Sequence, residues 1–83
     1  MSKEEIEKKV IEIVADELGV NASELSADTN LQDDLEADSL DAVEILCNLE
    51  REYNVELPNY DVFNTDLKTI AEITTFVYNH LNS

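Results

Sequence analysis

Ser39 is the residue of this chain best set for chemistry, since it stands inside the carboxylate-rich run Asp34-Leu35-Glu36-Ala37-Asp38-Ser39-Leu40-Asp41-Ala42-Val43-Glu44. Asp38 or Ser39 is placed to cap a helix that begins with Leu40, because a side-chain oxygen there accepts from N–H groups that the first helical turn leaves unpaired. The same N–H groups favour an anion, so a phosphate ester carried on the Ser39 hydroxyl would be well accommodated. Asp and Ser ahead of an apolar-periodic stretch also form an ordinary helix cap in many unrelated proteins, so the pair alone is a weak signal.

Other chemistry has less support. Ser39, His80 and the neighbouring carboxylates Asp33 and Asp34 are the right types for nucleophilic or acid–base catalysis. The chain has no Gly-x-Ser-x-Gly elbow and no glycine-rich phosphate loop, and its single histidine falls in the last turn of the last helix. No catalytic residue is expected. Asp34, Glu36 and Asp38 match the first, third and fifth positions of a calcium loop, but Ser39 stands where the turn glycine belongs and Ile45 where the bidentate glutamate belongs. No dedicated metal site follows from this. An acidic calcium-binding or adaptor protein is the alternative from a different class. Cys47 is the only cysteine, which rules out an intramolecular disulfide and a Cys/His metal cluster.

The spacing of Asp34-Leu35, Ala37-Asp38-Ser39-Leu40-Asp41 and Val43-Glu44 closely resembles the attachment motif of the acyl carrier protein family. The resemblance implies an all-α fold, a small bundle of three main helices plus a short fourth, with a long loop after the first helix. It implies that Ser39 receives 4′-phosphopantetheine from coenzyme A through a phosphopantetheinyl transferase, and that acyl groups are then held as thioesters on the terminal thiol. Such a protein is a carrier and not an enzyme. By position, Asp38, Leu40, Asp41, Glu44, Cys47 and Arg51 would meet acyl-processing synthases and transferases that have basic docking surfaces. Val43, Leu49, Tyr53, Leu57, Leu67 and Ile70 would wall an acyl pocket, although these residues are equally explained as plain core. Fatty acid biosynthesis is the expected pathway; a dedicated carrier for a polyketide, specialised lipid or aminoacyl pathway is the alternative. Three departures are visible: Glu36 where many members have glycine, Arg51 on an otherwise acidic face, and Cys47 where a larger apolar residue is common.

Composition supports part of this independently. The 83 residues suffice for a single domain spanning 1–83. Twenty Asp and Glu against five Lys and Arg give a formal charge of -15, which repels nucleic acid and anionic membrane surfaces and favours basic protein partners. Hydrophobic residues make up 43% of the chain, enough to fold despite the charge. The charged start Met1-Ser2-Lys3-Glu4-Glu5 and the lack of a bilayer-length apolar run predict no signal peptide, no stable membrane insertion and a cytoplasmic monomer.

The elements that must position Ser39 follow from periodicity. Ile6, Val10, Ile13, Val14 and Leu18 fall at helical spacing, with Ser2 and Glu5 as a capping box and Gly19 as the stop. Residues 19–37 read as a long loop pinned by Val20, Leu25, Leu31 and Leu35, with one helical turn at Asn21-Ala22-Ser23-Glu24. The second helix is predicted over Ser39 to Tyr53, with Val43, Leu46, Leu49 and Tyr53 on its apolar side and Leu40 and Cys47 at the border. A short third helix is predicted within Asn59 to Asn64. Thr69 and Glu72 cap the final helix, whose apolar positions are Ile70, Ile73, Val77 and Leu81. The β-branched run at 74–77 has no strand to pair with, so helix is expected there as well.

Overall fold

A computed structural model describes residues 2–56 and 68–82. Among the described residues there are three α-helices, α1 (Lys3–Leu18), α2 (Ser39–Tyr53) and α3 (Ile70–Leu81), with a 3₁₀ turn over Ala22–Glu24 between the first two. The short helix predicted within Asn59 to Asn64, together with Leu57 and Leu67, lies outside the described residues.

Each helix begins on a side-chain cap that the sequence contains. The Ser2 hydroxyl accepts from the Glu5 N–H at 3.2 Å, and the Glu5 carboxylate in turn accepts from that hydroxyl and not from the Ser2 backbone. This is half of the expected box. Thr69 and Glu72 form both halves at α3. Helix α1 ends at Gly19, whose φ of 68° lies in the left-handed region that costs glycine nothing, and its N–H bonds back to Ala15.

Ile6, Val10, Val14 and Ala15 of α1 pack on both other helices. Ile13 and Leu18 are half-buried at the margin of that stripe. On α2 the buried residues are Ala42, Ile45, Leu46 and Leu49. This corrects the predicted face: Val43 and Tyr53 are only half-buried, and Ile45 is fully enclosed in their stead. Both sets fit 3.6 periodicity, and the rotation of α2 against α1 decides between them. In α3, Thr74 is as buried as its apolar neighbours Ile70, Ile73 and Val77 because its hydroxyl donates to the Ile70 carbonyl at 2.8 Å. Leu81 is half-buried.

The long loop after α1 is docked along its length. Leu25, Leu31 and Ala37 are buried in the core, with Val20 and Leu35 packed against it. Its backbone also bonds to the entry of α3: Leu31 N–H to Lys68 O at 2.9 Å, Ile70 N–H to Thr29 O at 3.1 Å, and Ala71 N–H to Ala27 O at 2.9 Å. An isolated antiparallel bridge between Asn30 and Thr69 belongs to this seam. A loop of this length is stable because its polar backbone is paired and its few apolar residues are withdrawn from water.

Candidate functional site

The site is built where the docked loop turns into α2. Asn30 organises the turn: its side-chain oxygen accepts from the N–H groups of Gln32 and Asp33, both at 2.9 Å, and its own N–H donates to Asp34 Oδ2 at 2.8 Å. The Ala37 N–H then donates to Leu31 O at 2.9 Å, and both residues are buried. Between the turn and Ala37 the chain passes through Glu36 with φ 56°. This left-handed position explains, on steric grounds, why glycine would suit residue 36, since a Cβ crowds the following carbonyl there.

Asp38 is the N-cap of α2 and the helix begins at Ser39, as the predicted span Ser39 to Tyr53 has it; of the two capping candidates, Asp38 and Ser39, the structure gives Asp38. Asp38 Oδ1 accepts from the Asp41 N–H at 3.0 Å, while Asp41 Oδ2 accepts from the Asp38 N–H at 3.1 Å. The reciprocal pair fixes the first turn around Ser39. Ser39 is exposed, and Leu40 beside it is 74% exposed, a large apolar side chain held out in water. The sequence therefore alternates buried anchor, cap, exposed hydroxyl, exposed apolar residue and second cap.

Below Ser39, Leu40, Glu44, Cys47 and Arg51 recur at intervals of four, three and four, so they follow one line down α2. Leu40, Glu44 and Arg51 are exposed and Cys47 is half-buried. Asp41 lies to the side of this line, half-buried. There α1 supplies Glu17, a residue that the sequence reading missed. Its carboxyl is pushed up from the ordinary glutamate range, first by burial, then by the charge of Glu44 and a hydrogen bond to it, and by the charge of Asp41. Only the packing of α1 on α2 brings Glu17 to Asp41 and Glu44. Further along the same seam, Ile13, Asp16 and Glu17 face Asn48, Arg51 and Glu52 across an open groove of about 430 Å³. Arg51 thus borders α1 acids as well as the α2 face.

Of the expected acyl wall, Leu49 and Ile70 are fully buried and Val43 and Tyr53 half-buried, while Leu57 and Leu67 fall outside the described residues. His80 is occupied within α3: its Nδ1–H donates to the Phe76 carbonyl at 2.9 Å, and the two rings lie 4.5 Å apart between centroids. Ile45, the twelfth position of the calcium-loop pattern, is fully buried and offers no ligand oxygen. Among the described residues no three His, Cys, Asp or Glu side chains converge as a metal-holding group, and no helix is long and apolar enough to cross a membrane.

The family described as the phosphopantetheine attachment site matches residues 8–77. An acyl carrier protein of Porphyromonas gingivalis is 39% identical over 77 residues, which cover 93% of this chain and 96% of that protein. One from Rubrobacter xylanophilus is 40% identical over 80 residues, 96% of each. The solved structure of the acyl carrier protein from Enterococcus faecalis superimposes with a TM-score of 0.74 at 26% identity, covering 96% of this chain and 99% of that one. The chain belongs to the acyl carrier protein family, whose cofactor is 4′-phosphopantetheine.

Proposed function

We propose that Ser39 is the attachment residue and that residues 1–83 act as one carrier domain in fatty acid biosynthesis, in the cytoplasm and as a monomer. The observation that carries this reading is the exposure of Ser39 at the first position of α2, inside the Asp38–Asp41 cap and beside the exposed Leu40. An exposed hydroxyl on a fixed helix end fits the group well, because the phosphodiester lies outside the core and near the positive end of the helix. When attached, the group supplies a flexible arm with a terminal thiol that holds acyl groups as thioesters.

The chain's own residues present and orient. They need not activate the serine, since a phosphopantetheinyl transferase supplies the base and the metal ion. The Ser39 oxygen displaces 3′,5′-adenosine diphosphate from the pantetheine-bearing phosphorus of coenzyme A, one P–O bond forming as the anhydride P–O bond breaks, and the hydroxyl proton passes to the transferase. Asp38, Leu40, Asp41, Glu44, Cys47 and Arg51 form the face that basic transferases and acyl-processing synthases meet. Val43, Leu49, Tyr53, Leu57, Leu67 and Ile70 are the residues from which space for an acyl chain is drawn. The protein is on this reading a substrate of enzymes and performs no catalysis itself.

The test is a mass measurement after incubation with coenzyme A, magnesium and a permissive transferase. One phosphopantetheine is expected on the parent and none on Ser39→Ala. Modification that persists in Ser39→Ala, or a parent that is never modified, overturns the assignment.

A further inference from the structure

Resting on the reading of Ser39 as the attachment residue, we infer that Glu36 is a specificity-determining contact for the transferase that modifies it. Its backbone sits at φ 56°, a conformation that disfavours any side chain with a Cβ. That conformation is bracketed by fixed backbone: the Asn30–Asp34 turn on one side and the Ala37-to-Leu31 bond on the other. The side chain is exposed, and among the described residues its carboxylate has no hydrogen bond or ion pair. Glu36 therefore strains the loop without a described intramolecular contact to offset the strain. With no partner among the described residues, the exposed carboxylate is open to a partner outside the chain.

What it faces is set by its distance from the serine. Three residues of chain span at most about 11 Å, so an enzyme that brings its reacting groups to the Ser39 hydroxyl also covers Glu36. A protein with charge -15 selects basic surfaces, and the Glu36 carboxylate adds one demand to that general attraction: a cation opposite residue 36. A transferase with an apolar or acidic side chain there has to desolvate or repel the carboxylate and is disfavoured.

Three variants separate charge from strain. Glu36→Gln keeps the strained side chain and removes the charge; Glu36→Gly removes both; Glu36→Asp keeps the charge. At low salt, Glu36→Gln and Glu36→Gly are expected to lower kcat/KM of phosphopantetheinylation about 2- to 5-fold through KM, the size of one exposed ion pair. Glu36→Asp is expected to stay near the parent, and the deficit to shrink at high salt. Glu36→Gln is expected to raise the melting temperature slightly by relieving like-charge repulsion, Glu36→Gly to raise it further by also relieving the backbone strain, and Glu36→Asp to leave it near the parent. Parent-like kcat/KM in both Glu36→Gln and Glu36→Gly, with the parent modified normally, overturns the role of Glu36 alone. A parent that is never modified overturns the Ser39 reading and this inference with it.

Discussion

Asp38 and Asp41 cap each other across the first turn of α2, each carboxylate accepting from the other's N–H at 3.0 and 3.1 Å, with the exposed Ser39 and Leu40 between them in the chain. The pair does for α2 what a single Ser or Asp does for most helices, and does it at both ends of the turn. Asp38→Ala removes the acceptor for Asp41 N–H and is expected to cost about 1 kcal/mol, within a range of roughly 0.5 to 2. Asp38→Asn keeps an acceptor and should cost only a few tenths of that. Urea unfolding followed by far-ultraviolet circular dichroism reads both. An unchanged midpoint for Asp38→Ala would show that the cap contributes nothing to stability.

Two glutamates at different helix contacts respond to pH with opposite sign. Burial and the nearby Glu44 and Asp41 hold the Glu17 carboxyl above its ordinary range, so the folded state binds its proton more tightly than the unfolded chain does. Its contribution is fully present below the ordinary glutamate value and is lost as pH rises through the raised folded value. At Glu72 burial also pushes upward, but this is outweighed by the N–H groups of Thr69 and Lys68, the Thr69 hydroxyl and the charge of Lys68, which hold it below the ordinary range. That contribution is present above the ordinary value and is lost as pH falls through the lowered one. Thermal melts should therefore show Glu17→Gln more stable than the parent at neutral pH and equal to it in acid. Glu72→Ala should be less stable at neutral pH, with a deficit that narrows in acid. Parallel pH profiles for the two variants would contradict both assignments.

What the sequence made legible and what it left hidden divide along physical lines. Helix starts are local events, so Thr69 and Glu72 were readable from residue type and spacing alone, as was the stop at Gly19, while at α2 the same signals narrowed the cap to Asp38 or Ser39 and the structure gives Asp38. The long loop was readable as docked from its sparse apolar residues, of which Leu25 and Leu31 are buried. The rotation of α2 was not readable: Val43 with Tyr53 and Ala42 with Ile45 are both consistent with one helical period, and contact with α1 decides. Glu17 was hidden for the same reason, since nothing in its own helix places it beside Asp41 and Glu44. Glu36 lies between these cases. The absence of glycine marked it as unusual, and the positive φ supplies the cause.

The charge of -15 is spread over a body whose radius of gyration is 11.4 Å. That is close to the screening length of about 10 Å at 0.1 M salt, so like charges repel across the whole molecule at low ionic strength. Melting temperature is expected to rise with sodium chloride, and millimolar magnesium and calcium should act alike. Calorimetric titration that shows one tight, calcium-selective site would contradict a general screening effect and favour the calcium-binding alternative.

An acyl chain withdrawn into the helices should stabilise the loaded protein, because each buried methylene contributes up to about 0.8 kcal/mol. Helix separation and prior burial of the chain on the surface reduce the sum to a few kcal/mol, still a rise of several degrees for a domain of this size. The structure determines which variants can report the location. Leu49 is fully buried and tightly surrounded, so Leu49→Phe overpacks the empty bundle at a cost of roughly 1 to 3 kcal/mol. Val43 is half-buried, so Val43→Phe has room to turn outward and should leave the unloaded protein near its parent stability. The informative quantity is the melting difference between loaded and unloaded forms of the same variant, which cancels damage common to both. A chain lodged against the α2 wall predicts a smaller difference in both variants than in the parent. An undiminished difference in Val43→Phe and Leu49→Phe alike would show that the chain lies elsewhere or stays in solvent.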